Sequence, residues 1–194
     1  MRRRAWNILR FELQRQKFEA FKWRLIRSQG DLVNRHLMVS VSMKFELGST
    51  TKYLAEEKDQ KIEIAGDANI FVSADRLLLR QAIANLLDNA IKYSPTNSRI
   101  TVQVKLGAKN TAWLDISDEG PEILVEHRSH IFDRFYRIDP ARSRELGGVG
   151  LGLSITRWVV EAHGGEISLN SQEDQGSTFR VSLPVASFVS PMPM

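Results

Sequence analysis

Apolar positions recur along the chain at two spacings, each diagnostic of an element. Trp6, Leu9 and Leu13, then Phe18, Phe21 and Leu25, fall at three- and four-residue steps. This spacing predicts a basic helix over residues 5–28, ending near Gly30. Val39, Val41, Met43, Phe45 and Leu47 alternate with Ser40, Ser42, Lys44 and Glu46, the pattern of a half-buried strand, and Gly48-Ser49-Thr50-Thr51 breaks it. Short strands are expected at residues 61–65 and 69–73, either side of the turn Gly66-Asp67. Ser73 is expected to cap a helix that has Asp75 in its first turn and runs to about Tyr93, before Ser94-Pro95. Leu79, Ile83, Leu86, Leu87, Ala90 and Ile91 give that helix an apolar face suited to packing on a sheet.

Alternation returns at Ile100, Val102, Val104 and Leu106, and a turn over residues 107–110 leads to a second strand at 112–117. Residues 118–148 show little periodicity beyond Ile131-Phe132 and Phe135-Tyr136, and irregular stretches of this length inside a domain are usually functional lids. A helix is expected from about Leu151 to His163, stopped by Gly164-Gly165. Strands at 166–170 and 177–183 follow, the latter with Phe179, Val181 and Leu183 on one face, and residues 185–194 read as a frayed tail.

Composition narrows the picture. A chain of 194 residues with 42% hydrophobic and 26% charged positions has room for one globular domain plus an appendage. Cysteine is absent, which excludes disulfides, zinc-thiolate sites and thiol catalysis. No window approaches the ~20 apolar residues a membrane span needs. Arg10, Glu12, Arg15 and Lys17 interrupt any signal-peptide core after Arg2-Arg3-Arg4, so a cytosolic (cytoplasmic) location is expected. The net charge of +4 is unevenly spread. Residues 1–30 hold nine Lys/Arg against Glu12 and Glu19, which leaves the remaining residues at 18 basic against 21 acidic. Nucleic acid is therefore not an expected partner, and membrane contact could come only through residues 1–30.

The candidate chemistry lies in three segments. Asn85, Asn89, Lys92 and Tyr93 sit at i, i+4, i+7 and i+8, one stripe of one helix face. Amide oxygens are hard neutral ligands suited to Mg2+, and an ammonium can meet a phosphate; a solvated helix face has the same pattern. Asp118-Glu119-Gly120 follows a strand and sets a carboxylate at its tip, where it can accept a hydrogen bond from an exocyclic amine; an ordinary turn has the same sequence. Gly147-Gly148-Val149-Gly150-Leu151-Gly152-Leu153 opens a helix, where glycines let backbone N–H groups approach phosphate oxygens. Neither the Walker A pattern nor the dinucleotide fingerprint fits this loop.

In order, these pieces resemble the catalytic ATP-binding domain of two-component sensor histidine kinases, of the GHKL superfamily and with a heavy-metal-sensor-like flavour. Asn85-Leu86-Leu87-Asp88-Asn89-Ala90-Ile91-Lys92-Tyr93 resembles the asparagine box and Asp118-Glu119-Gly120 the first glycine box. Phe132-Asp133-Arg134-Phe135-Tyr136-Arg137 is similar to the phenylalanine box, Gly148-Val149-Gly150-Leu151-Gly152-Leu153 to the second glycine box, and Gly176-Ser177-Thr178-Phe179 to the closing Gly-Thr element. The resemblance covers about residues 53–184 and sets residues 1–52 apart as an atypical basic segment. It implies an α/β (α+β) two-layer sandwich, a mixed, mostly antiparallel sheet backed by helices, with ATP between a helix and the lid.

By position, Asn89 would hold Mg2+ with Asn85 in support, and Lys92 and Tyr93 would touch phosphates and nucleoside. Asp118 would read the adenine amine, and Gly120 would make room for the ring. Arg137 and Arg142 would reach the phosphates from the lid, and Gly148, Gly150, Leu151 and Gly152 would line it. Thr178 would sit near the adenine, while Phe132 and Phe135 would anchor the lid. Asn85 stands where ATPase relatives carry a water-activating glutamate. It cannot act as a general base, so transfer of the γ-phosphoryl group is implied in preference to hydrolysis, with Asn85, Lys92 and Arg137 as the catalytic set.

Two departures matter. Pro121 and Glu122 stand where a second glycine is expected, which implies altered lid mobility or weaker nucleotide affinity but an intact fold. None of His36, His127, His130 and His163 has the setting of a phosphoacceptor. The resemblance therefore implies an acceptor histidine on a separate dimerisation domain and, through it, a response regulator. It leaves a non-catalytic, nucleotide-dependent interaction module as the alternative, and residues 1–52 as a start foreign to the domain.

Overall fold

The computed structural model describes residues 36–39, 49–66, 70–139 and 149–185. In chain order the elements are β1 (His36–Val39), α1 (Ser49–Glu57), β2 (Lys61–Gly66), β3 (Ile70–Ser73), α2 (Arg76–Tyr93), β4 (Arg99–Leu106), β5 (Thr111–Asp118), α3 (Val125–Arg128), α4 (Gly152–Ala162), β6 (Glu166–Gln172) and β7 (Gly176–Pro184). A five-stranded sheet runs β2-β4-β5-β7-β6, and β1 pairs with β3 in a separate ribbon. Only β2 and β4 are parallel in the larger sheet. A parallel neighbour needs a long crossover, and β3 with α2 supplies it. The other neighbours are antiparallel, and two of those pairs join through tight turns. In the β6–β7 turn Asp174 (φ 58) and Gly176 (φ 73) take left-handed backbone.

Strand alternation decides which residues enter the core. Ile100, Val102 and Val104 of β4, Leu114 and Ile116 of β5, and Phe179, Val181 and Leu183 of β7 are buried against Leu79, Ile83, Leu86, Leu87, Ala90 and Ile91 of α2. Burial of a side chain of this size contributes roughly 1.5–3 kcal/mol, so this face fixes α2 on the sheet. A second seam joins α2 to α4 through Leu78, Ala82 and Val159. Inside it the fully buried Thr156 hydroxyl is 2.9 Å from the Gly152 carbonyl and 3.2 Å from that of Ala82. The opposite face of the sheet is polar: Asp115 receives two 2.7 Å bonds from Arg180, whose guanidinium lies 4.4 Å from the Trp113 ring centroid.

Several elements differ from the sequence expectation. Ser73 does not cap α2, because it is held in the β3–β1 ladder opposite His36. The cap is Asp75, whose carboxylate accepts from the Leu77 and Leu78 N–H groups at 2.9 and 3.1 Å. The strands either side of Gly66-Asp67 belong to different sheets. Ser49 to Thr51, read as a breaker, opens α1, a helix that crosses the boundary expected at residue 52. The first described strand ends at Val39, and residues 40–48, together with the helix expected over 5–28, lie outside the described residues. Val185 is not frayed: it bridges to Val72 and its N–H donates to the Asn110 carbonyl at 2.9 Å. Among the described residues no helix is long and apolar enough to cross a membrane.

Candidate functional site

The polar edge of α2 is fixed at both ends. Its start is held by Asp75 and stops being free a second time at His163, where α4 ends: His163 Nε2 accepts the Asp75 N–H at 3.0 Å, and its Nδ1 lies 2.7 Å from the Val159 carbonyl. His163 is thus the C-cap of α4. At the other end Ser94 turns extended (ψ 150) before Pro95, as a residue preceding proline prefers. The last carbonyls are then collected by two side chains from the α1–β2 connection. Lys58 Nζ donates to Ile91, Lys92 and Ser94 at 2.8, 2.9 and 3.0 Å. Gln60 Nε2 donates to Ile91, Ser94 and Pro95 at 3.1, 3.3 and 2.9 Å. Sequence reasoning missed both, and no local signal marks a partner more than thirty residues away.

Along this edge Asn85 is engaged: its Nδ2 donates to the Gly152 carbonyl at 3.2 Å and its Oδ1 accepts from Gln81 at 3.0 Å. Asn89 is half-buried and makes no side-chain hydrogen bond among the described residues. Lys92 carries its ammonium 5.0 Å from the Tyr93 ring centroid. Among the described residues no cluster of three or more His, Cys, Asp or Glu is suited to a metal ion. A cation at this edge would have to rely on amide oxygens and on its other ligands, and Asn89 has such an oxygen unengaged.

Asp118 ends β5 and is only 8% exposed. Burial pushes its carboxyl up to about 6, against the opposing pull of N–H bonds from Gly120 (2.8 Å) and Ser177. Gly120 packs so closely that a Cβ there would lie 2.7 Å from the Asp118 Oδ1 and 3.4 Å from the Tyr93 carbonyl oxygen. Tyr93, Asp118 and Gly120 are therefore neighbours. Thr178 does not join them. The ladder pairs Asp118 with Ser177 and Ser117 with Thr178, and the Thr178 hydroxyl lies 2.9 Å from that of Ser117 on the sheet's other face. Strand side chains alternate faces, so Ser177 is the residue beside Asp118. Phe179, a core position two residues on, carried that parity in the sequence.

The stretches on either side of residues 140–148 are tied together. Phe135 donates its N–H to the Gly150 carbonyl at 2.8 Å. Gly150 has φ 75, and a Cβ there would fall within 2.9 Å of the Phe135 and Tyr136 backbone, so only glycine fits. Phe132 meets Phe179 edge-on at 6.4 Å, the anchoring expected of it. Phe135 differs: the residue is 44% exposed and its backbone makes the anchor, at φ 66. Leu151 is buried, and its carbonyl accepts from Ile155 N–H (3.0 Å) and Ser154 Oγ (2.9 Å), so its side chain serves packing and its backbone the start of α4. A Cβ at Gly152 would lie 3.7 Å from Asn85 Cβ and Cγ, an ordinary contact. Arg142 and Gly148 lie outside the described residues. Arg137 is the unusual member. Its Nε and Nη2 are buried without a hydrogen-bond partner among the described residues. A guanidinium is always charged, and leaving its donors unpaired away from water is costly unless an anion meets them.

Residues 74–187 match the model of the family described as "Histidine kinase-, DNA gyrase B-, and HSP90-like ATPase". The chain belongs to this family. The sensor protein IrlS of Burkholderia pseudomallei is 40% identical over 131 residues, 68% of this chain and 28% of that protein. The structure of the mycobacterial sensor histidine kinase MprB superposes with a TM-score of 0.65 at 28% identity, covering 80% of this chain and all of that one. Full-length ShkA, solved in complex with AMPPNP, shares the fold at 24% identity with a TM-score of 0.67, covering 81% of this chain and 32% of that chain. The chain spans 28% of the length of IrlS and corresponds to the ATP-binding catalytic domain of the sensor histidine kinases.

In this histidine-kinase-type domain an open cleft runs between the end of α2 (Lys92, Tyr93), the turn after β5 (Gly120, Pro121) and the β6–β7 turn. Asn85, Asn89, Asp118 and Arg137 are not on its walls. The structure thus gathers two groups: Tyr93, Asp118 and Gly120 at the C-terminal end of α2, and Asn85 and Gly152 at its middle, with Gly150 two residues before Gly152. Eight helical steps lead from Asn85 to Tyr93, a rise of about 12 Å.

Proposed function

We infer that the chain binds Mg-ATP along the α2 edge, between the Asp118 turn and the lid, and transfers the γ-phosphoryl group to a histidine on a separate dimerisation domain. In this reading the Asp118 carboxylate accepts the adenine amine, Gly120 leaves room for the ring, and Tyr93 borders the nucleoside. Ser177, in place of Thr178, completes the adenine end. Lys92 and Arg137, with Arg142, meet the phosphates, and Gly148, Gly150 and Gly152 border them. Asn89 offers the oxygen for Mg2+, with Asn85 placed to steady the junction with α4. The bound ion would offset charge on the phosphate oxygens.

The observation that carries this reading is Arg137, whose two buried guanidinium nitrogens lack an anion among the described residues. Asn85 has no proton-accepting carboxylate, and its amide is held by Gln81 and Gly152. Water activation from that position is therefore disfavoured, and catalysis rests on positioning and charge stabilisation. In the transfer, the bond from the γ-phosphorus to its bridging oxygen breaks, a bond to the imidazole nitrogen forms, and ADP leaves. The partners that follow are the dimerisation domain and, through it, a response regulator in a phosphorelay, with the domain on the cytoplasmic side and any membrane contact through residues 1–30.

The test is a titration of the full chain with Mg-ATP, followed by incubation with labelled ATP and a separately supplied dimerisation domain. Saturable, Mg-dependent binding and label on the acceptor histidine are expected. No binding would defeat the site; binding without label would defeat the transfer.

A further inference from the structure

We propose that Arg128 and Ser171 are positioning residues for the base end of this site, doing for the turn after Asp118 what the missing second glycine would not. The inference rests on the nucleotide reading above. Residues 119–124 have no regular secondary structure, so their backbone groups must find partners elsewhere. Ile123 finds both of its partners in side chains from other elements. Its N–H donates to Ser171 Oγ at 2.9 Å, and its carbonyl accepts from Arg128 Nε at 2.8 Å.

The two clamping residues are themselves joined. Arg128 Nη2 donates to the Ser171 carbonyl at 2.6 Å and to Glu122 Oε1 at 3.1 Å. Ser171, 2% exposed, lies 3.0 Å from the hydroxyl of Ser177 and 3.1 Å from the Gly176 carbonyl. The Ser177 N–H reaches Asp118. A continuous polar chain therefore runs from Glu122 through Arg128, Ser171 and Ser177 to the carboxylate that faces the base.

Glu122 is thereby accounted for. From sequence it is a bulky, charged intruder. In the structure its carboxylate is paired with Arg128, and both side chains are mostly withdrawn from solvent, at 26% and 31% exposure. Pro121 restricts the backbone on one side of Glu122, and the Arg128–Ser171 clamp holds Ile123 on the other. A turn that two glycines would leave supple is instead fixed, with Gly120 seated against Tyr93. Fixing it costs the base less ordering on binding and holds Asp118 where it can distinguish an amine from an oxygen.

The full chain, with Arg128→Gln and Ser171→Ala variants, is titrated with Mg-ATP and with Mg-inosine triphosphate, which has an oxygen where ATP has its amine. The wild type is expected to prefer ATP. Each variant should lose about tenfold in ATP affinity, the worth of roughly one charge-assisted hydrogen bond, with inosine triphosphate affinity little changed. A purely structural role would weaken both nucleotides in parallel. An unchanged preference in both variants, with or without such a parallel loss, would overturn the proposal. If Arg128→Gln does not fold, Ser171→Ala, which removes a single oxygen, decides it alone. A wild-type chain that binds neither nucleotide overturns the nucleotide reading and this inference with it.

Discussion

At the scale of single residues, Asp118 holds the most consequential tension. Burial raises its carboxyl from 3.8 to about 6 in the folded chain, so the folded state holds that proton more tightly than the unfolded one. Stability is then greatest below about pH 4 on this account and falls as pH rises toward 6, by about 3 kcal/mol in all. Asp118→Asn removes the buried charge, and urea denaturation should find it more stable than wild type at about pH 7.5, with the gap closing near pH 4. A nucleotide amine selects the ionised carboxylate, so ATP affinity of the wild type should weaken as pH drops below about 6. Affinity flat from about pH 8 to 5 would remove Asp118 from the base contact. The carboxylate itself was legible in the sequence, because a strand followed by Asp-Glu-Gly puts it at a tip. Its neighbour was only half legible: motif position pointed to Thr178, the parity of Phe179 marks the face of Ser177, and the ladder register sets Ser177 beside Asp118.

Among the elements, α2 shows where local pattern stops informing. Its apolar face repeats every three or four residues, and that period alone identified the helix and its core side. Its ends depend on contacts the period does not encode. Ser73 and Asp75 both have capping side chains, and the strand pairing of Ser73 with His36 decided between them. Lys58 and Gln60 reach α2 from beyond thirty residues, with nothing in the sequence to mark them. Asp75→Ala should cost about 1 kcal/mol, the usual worth of a cap. Lys58→Met, which leaves carbonyls of the last turn short of a charged donor, should cost roughly 1.5–3 kcal/mol. Thermal melts measure both. Only the Lys58 variant is expected also to weaken ATP, because it loosens the turn bearing Lys92 and Tyr93 while Asp75 acts at the far end.

For the molecule as a whole, strand partners were the least legible feature. Alternation reveals that a segment is a strand but not which strand lies beside it, and β2 and β3, adjacent in sequence, went to different sheets. What sequence did reveal was the order of polar motifs, each on a separate segment. The structure shows why the order matters: the helix edge, the strand tip and the glycine hinge come from stretches separated by whole elements, and only the folded sheet joins them. Mg-ATP should therefore stabilise the chain globally, by about 2.7 kcal/mol at one hundred times Kd. Hydrogen exchange should slow together in residues 85–93, 118–123 and 149–153, and change least in the β1–β3 ribbon, which contributes no nucleotide contact in this reading. Asn89→Ala should fold normally and lose the Mg-dependent part of both effects. A rise in melting temperature without protection in all three segments would mean that the nucleotide binds elsewhere, since in this reading the base end draws on the Asp118 turn and the phosphate end on the α2 edge and the glycine hinge.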